Sequence, residues 1–240
     1  MSNIVVSLVT YYPQESIRRK LALKTIEELI LKGFTVVVVD GGSDKPFLNK
    51  IINLGVNVYT QEKPNLREAK RQAYQRAYDI NKRIIVCMEP EKFDFVKSIS
   101  TLANYLIEHS IDFLIPGRNN FSSCSQFQAA SENLLNLFYQ EYTSLDMDFC
   151  FGPLLWKREH SHYLIDFEPK IEKANWDIQI IPPLQAKKDG KTVKQINVDF
   201  TYPAEMMQEE EKSIIFNQKR INQLNSLTQT IQLYPELRFN

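Results

Sequence analysis

Val36-Val37-Val38-Val39-Asp40-Gly41-Gly42-Ser43-Asp44 is the stretch on which the fold turns. An unbroken β-branched run is the sequence of a strand buried on both faces of a parallel sheet. The Asp-Gly-Gly that follows ends it at the edge where α/β sheets bind ligands. An acid at that edge is placed to grip a nucleobase or ribose. It is equally suited to organising the turn itself, because Asp-Gly favours turns for local reasons.

On the N-terminal side, Ile4 to Val9 reads as a strand and Gln14 to Lys32 as a helix, with Gly33 placed to end that helix in a left-handed conformation. With Phe34 to Val39 these form a βαβ unit. Downstream come a short helix at Pro46 to Leu54, a strand at Val56 to Thr60, a helix from Leu66 to Asn81 and a strand from Arg83 to Met88. A helix at Val96 to His109, a strand at Asp112 to Pro116 and a helix from Gln126 to Tyr142 continue the rhythm. Such alternation predicts a doubly wound, mostly parallel sheet flanked by helices. Asp146 to Trp156 reads as looser chain. A helix opening at Trp176-Asp177, a late strand over Thr192 to Tyr202 and an amphipathic helix from Glu205 to Leu233 follow. The spacing predicts one domain over 1–204 with a helical extension over 205–240, which either packs back on the domain or pairs with another copy.

The 240 residues suit one large α/β domain, and 43% hydrophobic residues supply its core. Lysine and arginine number 29, as do aspartate and glutamate, so no global charge points to nucleic acid. Cys87, Cys124 and Cys150 fit neither a disulfide framework nor a zinc motif, and no signal peptide or apolar run long enough to span a bilayer is seen. A reduced, cytoplasmic protein without a transmembrane segment is the expectation. No G-x-S-x-G elbow, P-loop or G-x-G-x-x-G fingerprint occurs, so hydrolase, NTPase and dehydrogenase readings lose their usual support.

The strand ending at Met88 runs into Glu89-Pro90-Glu91. Two carboxylates there suit Mg²⁺ or Mn²⁺, which would neutralise a diphosphate; acids after a strand also cap helices or face solvent. The helix opening at Asn65 carries Arg67, Lys70 and Arg71 in its first turns, where cations oppose the helix dipole unless an anion is near. Trp176 beside Asp177 suits a pocket in which a sugar ring stacks and a base activates a hydroxyl. Arg118, after the fifth strand, is a candidate for phosphate or an acidic substrate, or a surface arginine. His160-Ser161-His162 has no identifiable acid partner and reads as a polar surface loop.

The order of these pieces resembles the GT-A fold glycosyltransferases, the group that includes mannosylglycerate synthase-like and bacterial family-two-like enzymes, over about residues 4 to 205. Thr10-Tyr11-Tyr12-Pro13 looks like that family's nucleotide-bordering loop, and Asp40-Gly41-Gly42-Ser43-Asp44 is similar to its acid and Gly-Ser-x-Asp. Asn65 to Arg71 stands where an asparagine and basic residues open a helix. The family's metal-binding Asp-x-Asp is replaced here by Glu89-Pro90-Glu91, and its late histidine ligand has no counterpart near Tyr202-Pro203.

The resemblance implies a hexosyltransferase moving a sugar from a nucleoside diphosphate donor to a small-molecule or lipid-linked acceptor. Thr10, Tyr12, Asp40, Asn65, Arg67 and Lys70 would bind the donor, and Glu89 and Glu91 the Mg²⁺ or Mn²⁺. Arg118, Gly152 and Trp176 would meet the acceptor, with Asp177 as the catalytic residue that orients or deprotonates it. A degenerate GT-A domain that binds nucleotide without turnover is the alternative, motivated by the missing Asp-x-Asp and histidine.

Overall fold

The computed structural model describes residues 3–171 and 175–239. Among these residues, seven strands form one sheet in the order β3-β2-β1-β4-β6-β5-β7. In chain order they are β1 (Ile4–Thr10), β2 (Thr35–Asp40), β3 (Asn57–Thr60), β4 (Ile84–Cys87), β5 (Phe113–Arg118), β6 (Leu154–Lys157) and β7 (Val193–Val198). Among the described strands only β6 runs antiparallel to its neighbours. The helices are α1 (Ile17–Leu31), α2 (Lys45–Asn53), α3 (Leu66–Asp79), α4 (Ile99–Glu108), α5 (Gln126–Thr143), α6 (His162–Ile165), α7 (Asp177–Lys188), α8 (Ala204–Glu211) and α9 (Ile214–Gln232).

The valine run is buried throughout. Val36 and Val38 belong to the core on one face with Leu8, Val86 and Ile26, while Val37 belongs to the core on the other with Ile85, Phe113 and Trp156. Period-two side-chain direction thus explains why every position in the run is apolar. Local signals set the helix starts: Ser16, Asp44, Asn65 and Ser125 each cap a helix by accepting a backbone N–H three residues on.

Four sequence expectations change. The loose stretch before residue 157 contains β6, whose short Leu-Leu-Trp run is invisible to periodicity because all three residues are buried. The late strand stops at Val198. The closing helix is two helices, because Ser213 is extended and its side chain caps Phe216 N–H. Residues 93–98 form a 3-10 helix that leads into α4.

The segment after residue 204 contributes to both cores, through Met206 on one face and through Leu227, Ile231, Tyr234 and Leu237 on the other. It packs back on its own domain: α9 lies along α5, and Tyr139 Oη donates to Leu227 O at 3.1 Å. No described helix is long and apolar enough to cross a membrane.

Candidate functional site

Parallel strands β1, β2 and β4 end at one edge, which brings Thr10, Asp40 and the Glu89-Pro90-Glu91 turn together. The antiparallel β6 begins at that edge, with Cys87 opposite Leu154, so Gly152 meets Glu89. Gly152 has φ +99°, and a Cβ there would overlap Glu89 Oε1 and stand 2.8 Å from Oε2. Glycine is needed on both counts.

Glu89 and Glu91 line two adjoining cavities, together with Arg18, Lys219, Trp176 and Gln179. The larger, about 320 Å³, runs between β1, β4 and α3 and also takes Thr10, Tyr12 and Lys70 into its wall. The smaller, about 140 Å³, is walled by α5, α8 and α9 and includes Gly152. Of the residues singled out in the sequence, Thr10, Tyr12, Lys70, Glu89, Glu91 and Trp176 line the larger cavity, and Glu89, Glu91, Gly152 and Trp176 the smaller.

Burial opposes ionisation of Glu89, but the Lys92 and Lys70 ammoniums outweigh it and hold its carboxyl below the usual range. Lys92 Nζ lies 3.4 Å from Glu89 Oε2 and is that carboxylate's ion-pair partner. Glu91 Oε1 accepts from Tyr12 Oη at 2.8 Å, with Arg18 3.9 Å away because the guanidinium is drawn to Glu210 at 2.5 Å. Lys70 is buried and donates to Gln179 Oε1; burial lowers its pKa, with Glu89 opposing.

Two carboxylates on one wall fit Mg²⁺ or Mn²⁺, since such ions are held by one or two carboxylates plus substrate phosphates. Separately, Asp112, Glu159 and His160 bring three ligating atoms within 4.8 Å of one another. That group lies at the opposite edge of the sheet, before β5 and after β6, and Lys157 Nζ already sits 2.8 Å from Asp112 Oδ1. His160, expected in a surface loop without an acid partner, is buried and bonds Asp112 at 3.1 Å.

Five expected ligand-binding or catalytic residues are engaged elsewhere. Asp40 accepts from Thr10 Oγ1, Ser43 Oγ, and the N–H groups of Gly42 and Ser43, which fills its carboxylate and fixes the turn. Asn65 caps α3 through Glu68 N–H. Arg67 and Asp177 are buried against each other, Nε to Oδ1 at 3.0 Å, and Arg67 also donates to Ile171 O. Burial raises the Asp177 pKa, with Arg67 opposing. Arg118 forks onto Asp148 and bonds Glu132, so its guanidinium ties β5 to α5 and to the chain before β6.

Sequence reasoning did not select Arg18, Lys92, Gln179, Glu210 or Lys219. Lys92 was within reach, three residues beyond Glu89 in a turn. Lys219 had no local signal.

No protein-family model matches the chain, and no curated protein matches it. Solved structures do. The crystal structure of Mycobacterium tuberculosis glucosyl-3-phosphoglycerate synthase matches with a TM-score of 0.59 and 16% identity, covering 94% of this chain and 80% of that one. The same enzyme in complex with Mn²⁺, uridine diphosphate and phosphoglyceric acid gives 0.57 and 15%, covering 94% and 78%. Its complex with Mg²⁺ and uridine diphosphate gives 0.56 and 15%, covering 94% and 79%. The chain has the α/β fold of the GT-A nucleotide-sugar glycosyltransferases, as its sequence order implied.

Proposed function

We propose that this chain is a glycosyltransferase that takes a hexose from a nucleoside diphosphate sugar and passes it to a small-molecule or lipid-linked acceptor, assisted by Mg²⁺ or Mn²⁺. One observation carries the reading: Glu89, Glu91, Lys70, Arg18 and Trp176 share a cavity at the edge where the parallel strands end. Carboxylates for a cation, cations for phosphate and an aromatic face for a ring are the groups such a donor needs.

In this reading Glu89 and Glu91 hold the divalent ion, which when bound supplies charge neutralisation for the departing nucleoside diphosphate. Lys70 and Arg18 reach the phosphate oxygens from the α3 and α1 sides. Tyr12 orients Glu91 through its hydroxyl, and Gly152 leaves Glu89 the room it needs. Asp177 acts through Arg67 by fixing α7, which carries Gln179 next to the half-buried Trp176.

Binding without turnover is the second reading, favoured by the sequestration of Asp177 away from the crevice. Isothermal titration with a panel of nucleotide sugars, with and without Mn²⁺, tests both. Saturable binding followed by release of nucleoside diphosphate when acceptors are added supports transfer. Binding with no release supports the second reading, and no binding under either condition overturns both.

A further inference from the structure

Helix α5 is apolar on two sides. Its inner side puts Leu135 and Tyr139 into the core, and α9 covers one flank, with Arg220 2.9 Å from Glu132 and Tyr139 Oη 3.1 Å from Leu227 O. Its outer side carries Leu134 and Leu137, each 57% exposed, and Phe127, 37% exposed. A helix that is hydrophobic all round is as a rule buried all round.

Spacing sets these residues apart from singly scattered surface leucines. Phe127, the exposed Ala130, Leu134 and Leu137 recur at intervals of three, four and three, the a and d positions of a heptad pattern, and so fall in one stripe along the helix. The surroundings are poor in charge. The 18 residues of α5 and the 19 of α9 carry four charged side chains, whereas charged residues make up 24% of the whole chain. Of these, Glu132 and Arg220 pair with each other and Lys219 lines the crevice, which leaves Glu141. Depletion of charge in an apolar patch is the compositional mark of a protein interface.

The symmetry of the stripe says what covers it. Intervals of three, four and three read the same in both directions, so a second α5 laid antiparallel matches the first about a two-fold axis. With that axis level with Glu132, Phe127 stands opposite the partner's Leu137, and Ala130 opposite the partner's Leu134, a large side chain over a small one. Gln126, Asn133 and Gln140 along one edge are neutral and both donate and accept, so no like charges meet. An anionic or cationic partner finds no counter-charge on this stripe. Size agrees: α5 is about 27 Å long at ~1.5 Å per residue, and beside α9 the face is about 20 Å wide. Pairing two such faces buries on the order of 1,000 Å² in total, the lower limit for a specific interface.

We propose that the outer face of α5 is the interface of a two-fold homodimer, in which two antiparallel α5 helices interlock through Phe127, Ala130, Leu134 and Leu137. Gln128 and Glu132 line the smaller cavity from the inner side of the same helix, so the crevice stays open in the dimer. The pairing does not depend on the glycosyltransferase reading.

Sedimentation velocity of the full chain from about 1 to about 500 µM tests the proposal. The native chain is expected to pass from monomer to dimer across that range, because an interface of the smallest specific size gives a weak complex. Leu134→Glu puts two charges into each interface and should raise the dissociation constant at least about tenfold. Should that variant not fold, Leu137→Glu carries the same expectation. Leu31→Glu, on a still more exposed leucine of α1, should leave the dimer unchanged. Ala130→Lys added to Leu134→Glu sets opposite charges facing each other across the axis and should restore dimerisation; a double variant as monomeric as the single one overturns the antiparallel pairing. A native chain that stays monomeric to the top of the range overturns the proposal, as does a dimer that both leucine variants leave intact. A monomeric chain that floats with phosphatidylcholine vesicles would show a bilayer covering the stripe, and would overturn it too.

Discussion

Arg67 Nε donates to Asp177 Oδ1 at 3.0 Å, and the pair is buried between α3 and α7. Removing one partner leaves an uncompensated buried charge, which costs about 3–5 kcal/mol, whereas removing both with apolar residues of similar volume costs far less. Arg67→Met is therefore expected to lower the urea midpoint markedly, and Arg67→Met with Asp177→Leu to recover much of it. Equal destabilisation of single and double variants would show that the pair is not what joins the two helices.

Gly152 and Glu89 make a second prediction. Gly152→Ala places a Cβ at a left-handed φ and against the Glu89 carboxylate. The backbone strain costs about 1–3 kcal/mol, and the carboxylate, being the end of a flexible side chain, swings away. Thermal melts should register the first effect, and weaker Mn²⁺-dependent nucleotide binding the second. A melt and a binding curve both like those of the native chain would contradict this geometry.

Asp148 gives the pH dependence. Burial raises its pKa, but hydrogen bonds and charge from Arg118 outweigh it and hold the carboxyl below its ordinary value of 3.8. A group depressed in the folded state binds fewer protons there than in the unfolded chain, so its stabilisation is present above the unfolded value and is lost as pH falls through the folded one. The stability gap between native chain and Asp148→Asn should thus be widest near neutrality and shrink below about pH 4. Chemical denaturation at a series of pH values measures it; a gap that widens in acid would reverse the assignment.

Local position was legible in the sequence, and partnership was not. The valine run and the acid-rich turn after β4 are contiguous, so their burial and their place at the sheet edge follow from residues next to one another. Asp40, Arg67, Arg118 and Asp177 are charged residues whose meaning depends on what lies opposite. Arg67 finds its partner 110 residues away and Arg118 finds Asp148 30 residues away. Residue type suggested ligand binding for all four, with turn formation the stated alternative at Asp40, and the fold spends them on its own scaffold. Strand β6 escaped for a related reason: an antiparallel insertion is defined by its neighbours, and its neighbours β4 and β5 are distant in the chain.

The measurement closest to the central claim is the electron paramagnetic resonance signal of Mn²⁺ titrated with UDP, using the native chain, Glu89→Gln and Lys70→Met. A ternary complex is expected for the native chain, with Mn²⁺ affinity about tenfold lower or worse in Glu89→Gln and UDP affinity reduced in Lys70→Met, as loss of a charged hydrogen bond implies. A Mn²⁺ signal that the native chain leaves the same as with UDP alone would contradict the account.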